Sequence, residues 1–360
     1  MQGYFTKFFN SFVEWLFRPR SVGLTLIRGG IILFGLIFAF GFIFNLSWPI
    51  SNGHIDLKID TSNGTPQLIA YVVAALASGL ILLGGWLELR RFQRLQRKRV
   101  IAIEMRGLRD SHGDPLVEAI PPRFEGNREQ LLIDVRQIDD GKITSPRHAL
   151  ARILQLPNDL KGRIDGVDRD EVTVIYGGLA PVPYTFLAGV LLDDEARLEV
   201  MDWDRTQQSW RTLDEPDDGA RFESSGMDGI AQGQDSVILA VSGSYDIDLA
   251  GVRARFPTLP IVALDLTQRS TSSHWSGDKQ SALCSQFLNT LIALSARGVQ
   301  TVQLFLAAPS SMVLNLGRSY DKRNLPAVIV HQYERSETPP YPWGLLMPVS
   351  GATAAIVDGD

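Results

Sequence analysis

Two long apolar runs near the start of the chain stand out against the mixed pattern that follows them. The first run, residues 31–46, contains Asn45 as its single polar residue, and with two glycines before it and Trp48 after it the run reaches the ~20 residues that a bilayer requires. The second run, residues 68–87, carries no charge. Soluble helices of this length normally have a polar face. We therefore predict two membrane-spanning helices rather than two buried core helices.

Basic residues flank the two runs on one side of the predicted membrane. Four of them lie between positions 7 and 28, six lie in the ten-residue stretch 90–99, and the loop between the runs holds only Lys58. Because basic loops stay on the cytoplasmic side, we predict that both chain termini are cytoplasmic. A cleaved signal peptide is disfavoured, since the first run starts late, lacks a small-residue cleavage site and is followed by a second run.

Two further patterns concern the arrangement of the membrane part. In residues 1–20 the phenylalanines recur on one helical face, which predicts an amphipathic helix in the membrane interface that ends at Pro19. In the second run small residues recur four positions apart, as in the pair Ala75 and Gly79, a spacing that lets helices approach closely. Residues 21–99 thus form a two-helix region with a basic linker, either as a simple anchor or as part of a larger membrane assembly.

From residue 100 onward, short apolar runs alternate with helical segments. Strands separated by helices predict a cytosolic α/β domain with parallel sheets of the Rossmann-like kind. The predicted strands are residues 100–104, 131–135, 172–176, 237–241, 261–264 and 302–306, and a helix is predicted at about 281–297.

Two segments of this domain repeat each other at a constant offset of 128 residues. Each has a strand, a small-residue turn, a proline at the expected first helical position and a glycine eight residues after that proline. The matching pairs are Ala180 and Ala308, Pro181 and Pro309, Phe186 and Leu314, Gly189 and Gly317, and Asp193 and Asp321. The repeat predicts two fused halves, at about 100–225 and 226–360.

The two repeated junctions also predict a binding site. At the carboxyl end of a parallel strand the next helix points free N–H groups and its positive dipole end outward, which favours anions. Gly177 and Gly178 precede the first helix, and Ser310 and Ser311 lie in the first turn of the second. Two such junctions facing one cleft suit a ligand with repeated phosphates. Alternatively, the small residues only allow close packing of helix against sheet.

Other candidate ligand contacts follow from residue type and position. Ser242, Ser244 and Tyr245 come after the strand 237–241, where hydroxyls donate to phosphate or base edges, or else cap a turn of the chain. Trp275 lies in a polar loop and is a candidate platform or lid for a nucleobase. Further candidates, each with an alternative structural interpretation, are Tyr184, Arg205 and Arg318. Trp203 and Trp210 are interpreted as core or edge residues.

Charge and composition limit the possible functions. Residues 1–99 carry a net charge of +7 and the remaining 261 residues carry −12, which argues against DNA as a partner. The single cysteine, Cys284, rules out an internal disulfide and is interpreted as a core residue. The five histidines lack metal-ligand spacing, and P-loop, G-x-G-x-x-G and G-x-S-x-G motifs are absent. We therefore expect no enzyme activity, no metal and no cofactor.

The repeated segments carry a family resemblance. Taken in order, residues 176–194, 200–205 with Trp210, 239–247, and the run from 305–318 to the Pro-Tyr-Pro-Trp region at 340–343 resemble the SAVED domain of bacterial CBASS antiphage systems. The resemblance extends over about 100–355. With its two predicted spans, the chain is most similar to the two-transmembrane (TM-SAVED) effectors. The resemblance implies two fused copies of the CARF sensor fold, in agreement with the internal repeat.

The resemblance also implies a function. A cyclic oligonucleotide, made by a partner cyclase after phage infection, is expected to bind the sensor domain, with a cyclic di- or trinucleotide as the ligand. The chain is then expected to form a ligand-induced homo-oligomer, contact membrane lipid and disrupt the bacterial inner membrane, causing abortive infection. Two alternatives stay open: a membrane-tethered enzyme that degrades or acts on cyclic nucleotides, and a signalling sensor without pore activity.

Overall fold

The computed structural model describes residues 21–43, 47–50, 53–56, 65–107, 114–137, 145–195, 197–272, 274–349 and 352–358. The chain separates into two compact units, Met1–Arg97 and Lys98–Asp360. The interfacial helix predicted for residues 1–20 lies outside the described residues.

The N-terminal unit contains two helices joined through a short hairpin. Its elements are α1 (Val22–Ile43), the antiparallel pair β1 (Ser47–Ile50) and β2 (Gly53–Asp56), and α2 (Thr65–Arg97). Among the described residues, one segment, Tyr71–Arg97, is long and apolar enough to cross a membrane, and Val22–Gly35 forms a shorter apolar segment. The predicted basic linker is not a separate segment, because α2 continues through it without a break to Arg97.

The two helices of this unit pack closely through glycine. A Cβ atom on Gly23 would lie 2.8 Å from the carbonyl oxygen of Gly84, and one on Gly84 would lie 2.5 Å from the carbonyl oxygen of Gly23. Any larger residue at either position would push the backbones apart. Gly79 and Gly85, by contrast, have no atom within 4 Å of the position a Cβ would take, so they lie outside the contact between α1 and α2.

The C-terminal unit is built on two sheets. The first sheet has the order β4-β3-β5-β6-β7, with β3 (Arg99–Arg106), β4 (Asn127–Asp134), β5 (Val172–Leu179), β6 (Leu198–Asp204) and β7 (Ser209–Thr212). The second has the order β14-β13-β12-β11-β9-β10-β8, with β8 (Phe222–Ser225), β9 (Ser236–Ser242), β10 (Ile261–Leu266), β11 (Thr301–Ala307), β12 (Ala327–His331), β13 (Trp343–Leu346) and β14 (Ala355–Asp358).

The helices of this unit follow the predicted alternation with the strands. The first half, which contains β3 to β7, has α3 (Leu116–Ala119), α4 (Pro146–Ile153), α5 (Leu156–Ile164) and α6 (Val182–Leu191). The second half, which contains β8 to β14, has α7 (Leu249–Arg255), α8 (Gly277–Ala296) and α9 (Ser310–Arg318).

The internal repeat is visible in the strand order. Four parallel strands, β4-β3-β5-β6, are followed by antiparallel β7 in the first half, and β10-β9-β11-β12 are followed by antiparallel β13 in the second. The predicted Rossmann-like halves with parallel strands are confirmed, and antiparallel strands at the edges make both sheets mixed. The predicted boundary at 225/226 needs adjustment, because β8 hydrogen-bonds to β10 of the second half.

Helices α6 and α9 pack against each other at the centre of the unit. A Cβ atom on Gly189 would overlap the carbonyl oxygen of Leu314, and one on Gly317 would overlap the carbonyl oxygen of Phe186. The 128-residue offset maps Gly189 onto Gly317 and Phe186 onto Leu314, so one contact occurs twice with the roles exchanged. Such reciprocity is the property of an interface with twofold symmetry, and it relates the two halves by an approximate twofold axis.

Candidate ligand-binding site

A cavity of about 370 Å³ lies between the two halves, at the carboxyl ends of β5, β6, β9 and β11. This is the sheet edge at which open α/β folds bind their ligands. The first half contributes Leu179, Ala180, Val182, Thr185, Asp202, Trp203, Asp204, Arg205, Thr206, Arg211 and Glu215. The second half contributes Ser244, Tyr245, Thr271, Ser272, His274, Trp275, Ala308, Pro309, Ser310 and Val313.

Six of the predicted site residues line this cavity: Arg205, Ser244, Tyr245, Trp275, Pro309 and Ser310. The amides of Gly243 and Ser244 both donate to the carbonyl oxygen of Ala307, at 2.9 Å each, which ties the turn after β9 to the end of β11. Tyr245, at the next position, is 58% exposed.

Three predicted residues at the first junction serve the packing of helix against sheet. Gly177 faces Leu116 and Trp210, whose side chains a Cβ would meet at 2.9 Å. The carbonyl oxygen of Gly178 accepts a hydrogen bond of 2.6 Å from the Ser310 hydroxyl. Pro181 is the residue before α6, not its first residue, and Pro309 has the same position before α9.

Four further predicted residues do not line the cavity. Tyr184 is fully buried and its hydroxyl donates to the carbonyl oxygen of Pro146 at 2.8 Å. Ser242 is buried at the end of β9, and Ser311 is buried in the first turn of α9. Arg318 lies at the far end of α9, beside a separate depression of about 230 Å³, and donates to the carbonyl oxygen of Glu195.

The two helix N-termini are not a matched pair of open anion sites. At α9 the amide of Ser311 donates to the carboxylate of Asp202, with 2.9 Å between the nitrogen and Oδ2. At α6 the corresponding position is Pro183, which has no N–H. One terminus already holds a carboxylate and the other lacks the equivalent N–H, so the two termini are not the matched pair of phosphate sites predicted from the repeat.

Trp275 is a wall of the cavity and not an exposed platform. Its side chain is only 6% exposed. The His274 ring lies against it with 4.3 Å between centroids, and the Arg211 guanidinium lies 4.8 Å from the centre of its ring system. Trp203, which had been interpreted as a core or edge residue, also lines the cavity and packs edge-on against Trp210 across the β6–β7 pair.

The acidic and basic side chains of the cavity are mostly paired. Asp204 accepts from the amides of Thr206 and Gln207 at 2.8 and 3.0 Å, and so holds the turn between β6 and β7. Arg211 forms an ion pair with Glu215 at 2.6 Å. Arg205 is exposed at the rim and forms no ion pair with any described residue. It is therefore the cation most available to an anionic ligand.

His274 and the other histidine of the buried interior stay neutral. Burial lowers the pKa of His274, and the nearby Asp202, whose charge acts in the opposite direction, does not offset it. Burial also lowers the pKa of His331, to about 3, where its ring stacks on Phe305. Within the described part of the chain no group of three His, Cys, Asp or Glu residues is placed to hold a metal ion.

Sequence reasoning missed most of the cavity residues that β6 supplies. Asp202, Trp203 and Asp204 end a parallel strand next to β5, so they lie at the same sheet edge as the predicted junction. The usable signal was the run of polar and aromatic residues directly after the apolar pair Val200 and Met201.

The architecture defines a Rossmann-like sensor unit, with a ligand-sized cavity between duplicated halves, that follows an apolar helical unit. Residues 156–347 match the family model described as "SMODS-associated and fused to various effectors sensor domain", SAVED, and residues 2–150 match the model described as "SAVED-fused 2TM effector domain". The chain therefore belongs to the SAVED family. The family resemblance predicted from the sequence is confirmed, and the two-transmembrane description agrees with the two predicted spans.

Similar solved structures include SAVED/CARF-domain containing receptors called Cap4. The Acinetobacter baumannii receptor with the cyclic trinucleotide 2'3'3'-cAAA is 12% identical with a TM-score of 0.47, over 80% of this chain and 59% of that one. The same receptor with 3'3'3'-cAAA is 13% identical with a TM-score of 0.46, at the same coverage. The Moraxella osloensis receptor is 12% identical with a TM-score of 0.43, over 80% and 57%. The chain thus spans less than two thirds of these structures. No curated protein matches it.

Proposed function

We propose that this protein is a membrane-anchored receptor for a cyclic di- or trinucleotide and acts as an effector of antiphage defence. In this proposal the ligand, made by a partner cyclase, binds the cavity between the two halves. The protein then assembles and disrupts the bacterial inner membrane, which causes abortive infection. The observation that carries the proposal is the cavity of about 370 Å³ that both SAVED halves build in a chain whose N-terminal part is a two-transmembrane effector domain.

The chemistry of the cavity supports a nucleotide ligand. The exposed hydroxyl groups of Thr206, Thr271 and Ser272 line the cavity from both halves and can donate to phosphate or ribose oxygens. The aromatic rings of Trp203 and Tyr245 offer apolar faces, and stacking of a base on an aromatic ring is worth ~1–3 kcal/mol. A ligand that contacts both halves at once would favour one arrangement of them over another, which is the requirement for any ligand-driven switch.

The N-terminal unit supports assembly as the output step. Two spans cannot line a wide pore alone, so disruption of the membrane by this protein requires several copies. Gly79 and Gly85 on α2 lie outside the contact with α1 and offer small-residue positions for a helix of another copy. The basic end of α2 would place the protein against the anionic inner leaflet, at ~1 kcal/mol for each basic residue near the surface.

Binding is tested with the full-length protein in lipid nanodiscs and a panel of cyclic di- and trinucleotides, by calorimetry. We expect binding of at least one ring with micromolar or tighter affinity. Arg205→Gln should weaken it about tenfold, as expected for loss of a charged hydrogen bond to phosphate, and should reduce its salt dependence. Arg335→Gln, which removes an exposed arginine outside the cavity, is the matched control and should leave affinity unchanged. Absence of binding across the panel would contradict the proposal.

The output step is tested with liposomes that contain the full-length protein and a trapped fluorescent dye. Addition of the bound ring should raise the oligomeric state and release the dye, and neither should occur without ligand. Binding and assembly with sealed liposomes, together with unaffected growth of ligand-producing cells, would leave a signalling sensor without pore activity. Turnover of the ring during the assay would support the enzyme alternative.

A further inference from the structure

The inner wall of the cavity carries a buried carboxylate. Asp202, near the end of β6, is only 4% exposed. Its Oδ1 accepts from the amide of Trp203 at 2.8 Å, and its Oδ2 accepts from the amide of Ser311 at 2.9 Å. The first bond lies within the first half, and the second reaches the first turn of α9 in the second half. The carboxylate therefore occupies the position at the α9 N-terminus that a bound anion would take.

The charge of Asp202 is balanced by dipoles and not by a cation. No lysine or arginine among the described residues forms an ion pair with it. The His274 ring lies beside it, with 3.5 Å between Nε2 and Oδ2, and burial lowers the pKa of that ring and favours its neutral form. The backbone amides and the positive end of the α9 dipole stabilise the carboxylate in place of a counterion. The α9 terminus thus contributes no free positive potential to the cavity.

We propose that Asp202 is a specificity-determining residue that closes the α9 N-terminus to phosphate, so that the phosphates of the ligand bind at the rim near Arg205 while neutral donor groups face the inner wall. The proposal rests on the proposed function of the cavity as a nucleotide site. A phosphate beside Asp202 would bring two negative charges together where little water screens them, which is unfavourable. A base amino group or a ribose hydroxyl would instead find acceptors there.

A second observation supports a donor-bearing ligand at the inner wall. Nδ1 of His274 is buried and has no hydrogen-bond partner among the described residues, although His274 lines the cavity. With its Nε2 directed towards Asp202, the neutral ring carries the proton on Nε2 and leaves Nδ1 as an acceptor. Asp202 and His274 together make this wall rich in acceptors, whereas the rim near Arg205 is rich in donors.

The internal repeat does not duplicate this closure. At the 128-residue offset Asp202 corresponds to Val330, and Ser311 corresponds to Pro183. The second half therefore has no equivalent carboxylate, and the first half has no equivalent amide. The ligand consequently meets a cavity with one acceptor-rich wall, which allows a single orientation of its phosphates.

The test uses the full-length protein in nanodiscs and inorganic phosphate as the probe. Thermal unfolding with increasing phosphate should show only weak stabilisation of the wild type. Asp202→Asn keeps the shape and removes the charge, and with one acceptor oxygen in place of two it cannot accept from both Trp203 and Ser311. We expect it to bind phosphate about tenfold more tightly than the wild type, as expected for removal of one nearby negative charge. A crystal or cryo-EM structure should place that phosphate at the α9 N-terminus.

The matched control is Asp204→Asn, which removes an equal charge from the same cavity. Asp204 accepts from the turn amides of Thr206 and Gln207 and not from a helix N-terminus. It should change phosphate affinity less than twofold. Equal gains in the two variants, or no gain in Asp202→Asn, would overturn the proposal. Asp202→Ser, which is smaller and also keeps an acceptor oxygen, replaces the asparagine variant if that variant fails to fold.

A second probe distinguishes a failure of the proposed role of Asp202 from a failure of the proposed function. Cyclic triadenylate is titrated into the wild type and Asp202→Asn. One outcome is that the wild type binds this ring or another ring of the panel while Asp202→Asn leaves the affinity for phosphate unchanged. In that case the proposed role of Asp202 is wrong and the proposed function stands. If no ring binds while Asp202→Asn gains phosphate, the proposed function is wrong and the closure by Asp202 stands.

Discussion

The two halves of the sensor unit share a scaffold and differ at the rim. Both contain four parallel strands in the same order with an antiparallel strand beside them, and both direct a central helix against its counterpart. The residues at the strand ends are different: Asp202 corresponds to Val330, and Trp203 corresponds to His331. Asp202 and Trp203 line the cavity, whereas their counterparts are buried in the second half.

This difference teaches that the symmetry of the fold and the asymmetry of the site have separate physical origins. The scaffold depends on apolar burial and on glycine at the close contact between α6 and α9, and those requirements act equally on both halves. The cavity wall depends on charge, hydrogen bonding and aromatic area at positions that the scaffold leaves free. Substitutions should therefore act on stability in the shared part and on binding in the differing part.

The largest expected effect comes from the contact that the halves share. Gly189→Ala or Gly317→Ala places a Cβ against a backbone carbonyl that cannot move aside, and each should lower the free energy of unfolding by at least ~3 kcal/mol. Gly162→Ala, on the exposed side of α5 with open space around its Cβ position, should raise it by ~0.5–1 kcal/mol. Chemical denaturation followed by tryptophan fluorescence measures both, and a tolerated alanine at 189 and 317 would disprove the reciprocal contact.

The next effect concerns a loop residue of the second half. Because Trp275 is buried against His274 and Arg211, Trp275→Ala should cost about 3 kcal/mol of stability in addition to weakening ligand binding. Tyr245→Ala, at an exposed wall position, should weaken binding and leave the unfolding transition in place. The pair is compared by thermal unfolding and calorimetry. An unchanged melting temperature for Trp275→Ala would show that the ring is not a structural wall.

An intermediate effect is the pH dependence of stability that His331, a buried residue of the second half, produces. Burial lowers the pKa of His331 to about 3, so the unfolded chain takes up a proton below pH 6.5 that the folded chain does not. The stabilisation is complete above pH 6.5 and is lost as the pH falls towards 3, with about 2 kcal/mol lost by pH 5. His331→Gln should show a loss about 2 kcal/mol smaller at pH 5, and the lowered pKa of His274 should account for part of the loss that remains. His148→Gln, at an exposed site, should retain the full loss, and identical pH profiles for both variants would contradict the assignment.

The smallest effect concerns a single bond between the halves. Ser310 donates to the carbonyl oxygen of Gly178, and its counterpart at the 128-residue offset, Val182, cannot do so. Ser310→Ala should lower stability by ~1 kcal/mol. Ser281→Ala removes a hydroxyl that bonds only within its own helix α8 and should have no measurable effect. Equal denaturation midpoints for the two variants would show that the bond between the halves contributes nothing.

Much of the fold was predictable from the sequence because it depends on local pattern. Every predicted strand from 100–104 to 302–306 corresponds to an observed one, and the helix predicted at 281–297 is observed as α8, Gly277–Ala296. The equivalence of Gly189 and Gly317 was predicted from the repeat, whereas the contact between their helices was not. The antiparallel strands β7 and β13 were not predicted, since short edge strands have a weak apolar pattern and depend on the hairpin partner.

The candidate site was less predictable because it depends on contacts distant in sequence. The pattern indicated that Ser310 and Ser311 begin a helix, but it could not indicate that Asp202, 109 residues earlier, would reach the Ser311 amide. Similarly, Tyr184 is typical of a ligand contact near a helix start, yet the rotation of α6 directs its ring towards Trp343. Which face of a helix meets a cavity is decided by tertiary packing.

The reciprocal contact between α6 and α9 has a consequence for the kind of ligand that the proposed site would distinguish. Two separate identical subunits joined by such a contact would present equal walls, and any change in one wall would appear in the other. A single chain that contains both copies can alter one wall alone, as at Asp202 and Val330. Under the proposed function, two copies in one chain would therefore allow the cavity to distinguish the two directions of a ring with unequal linkages or bases, whereas a symmetric dimer would bind such a ring equally in either direction.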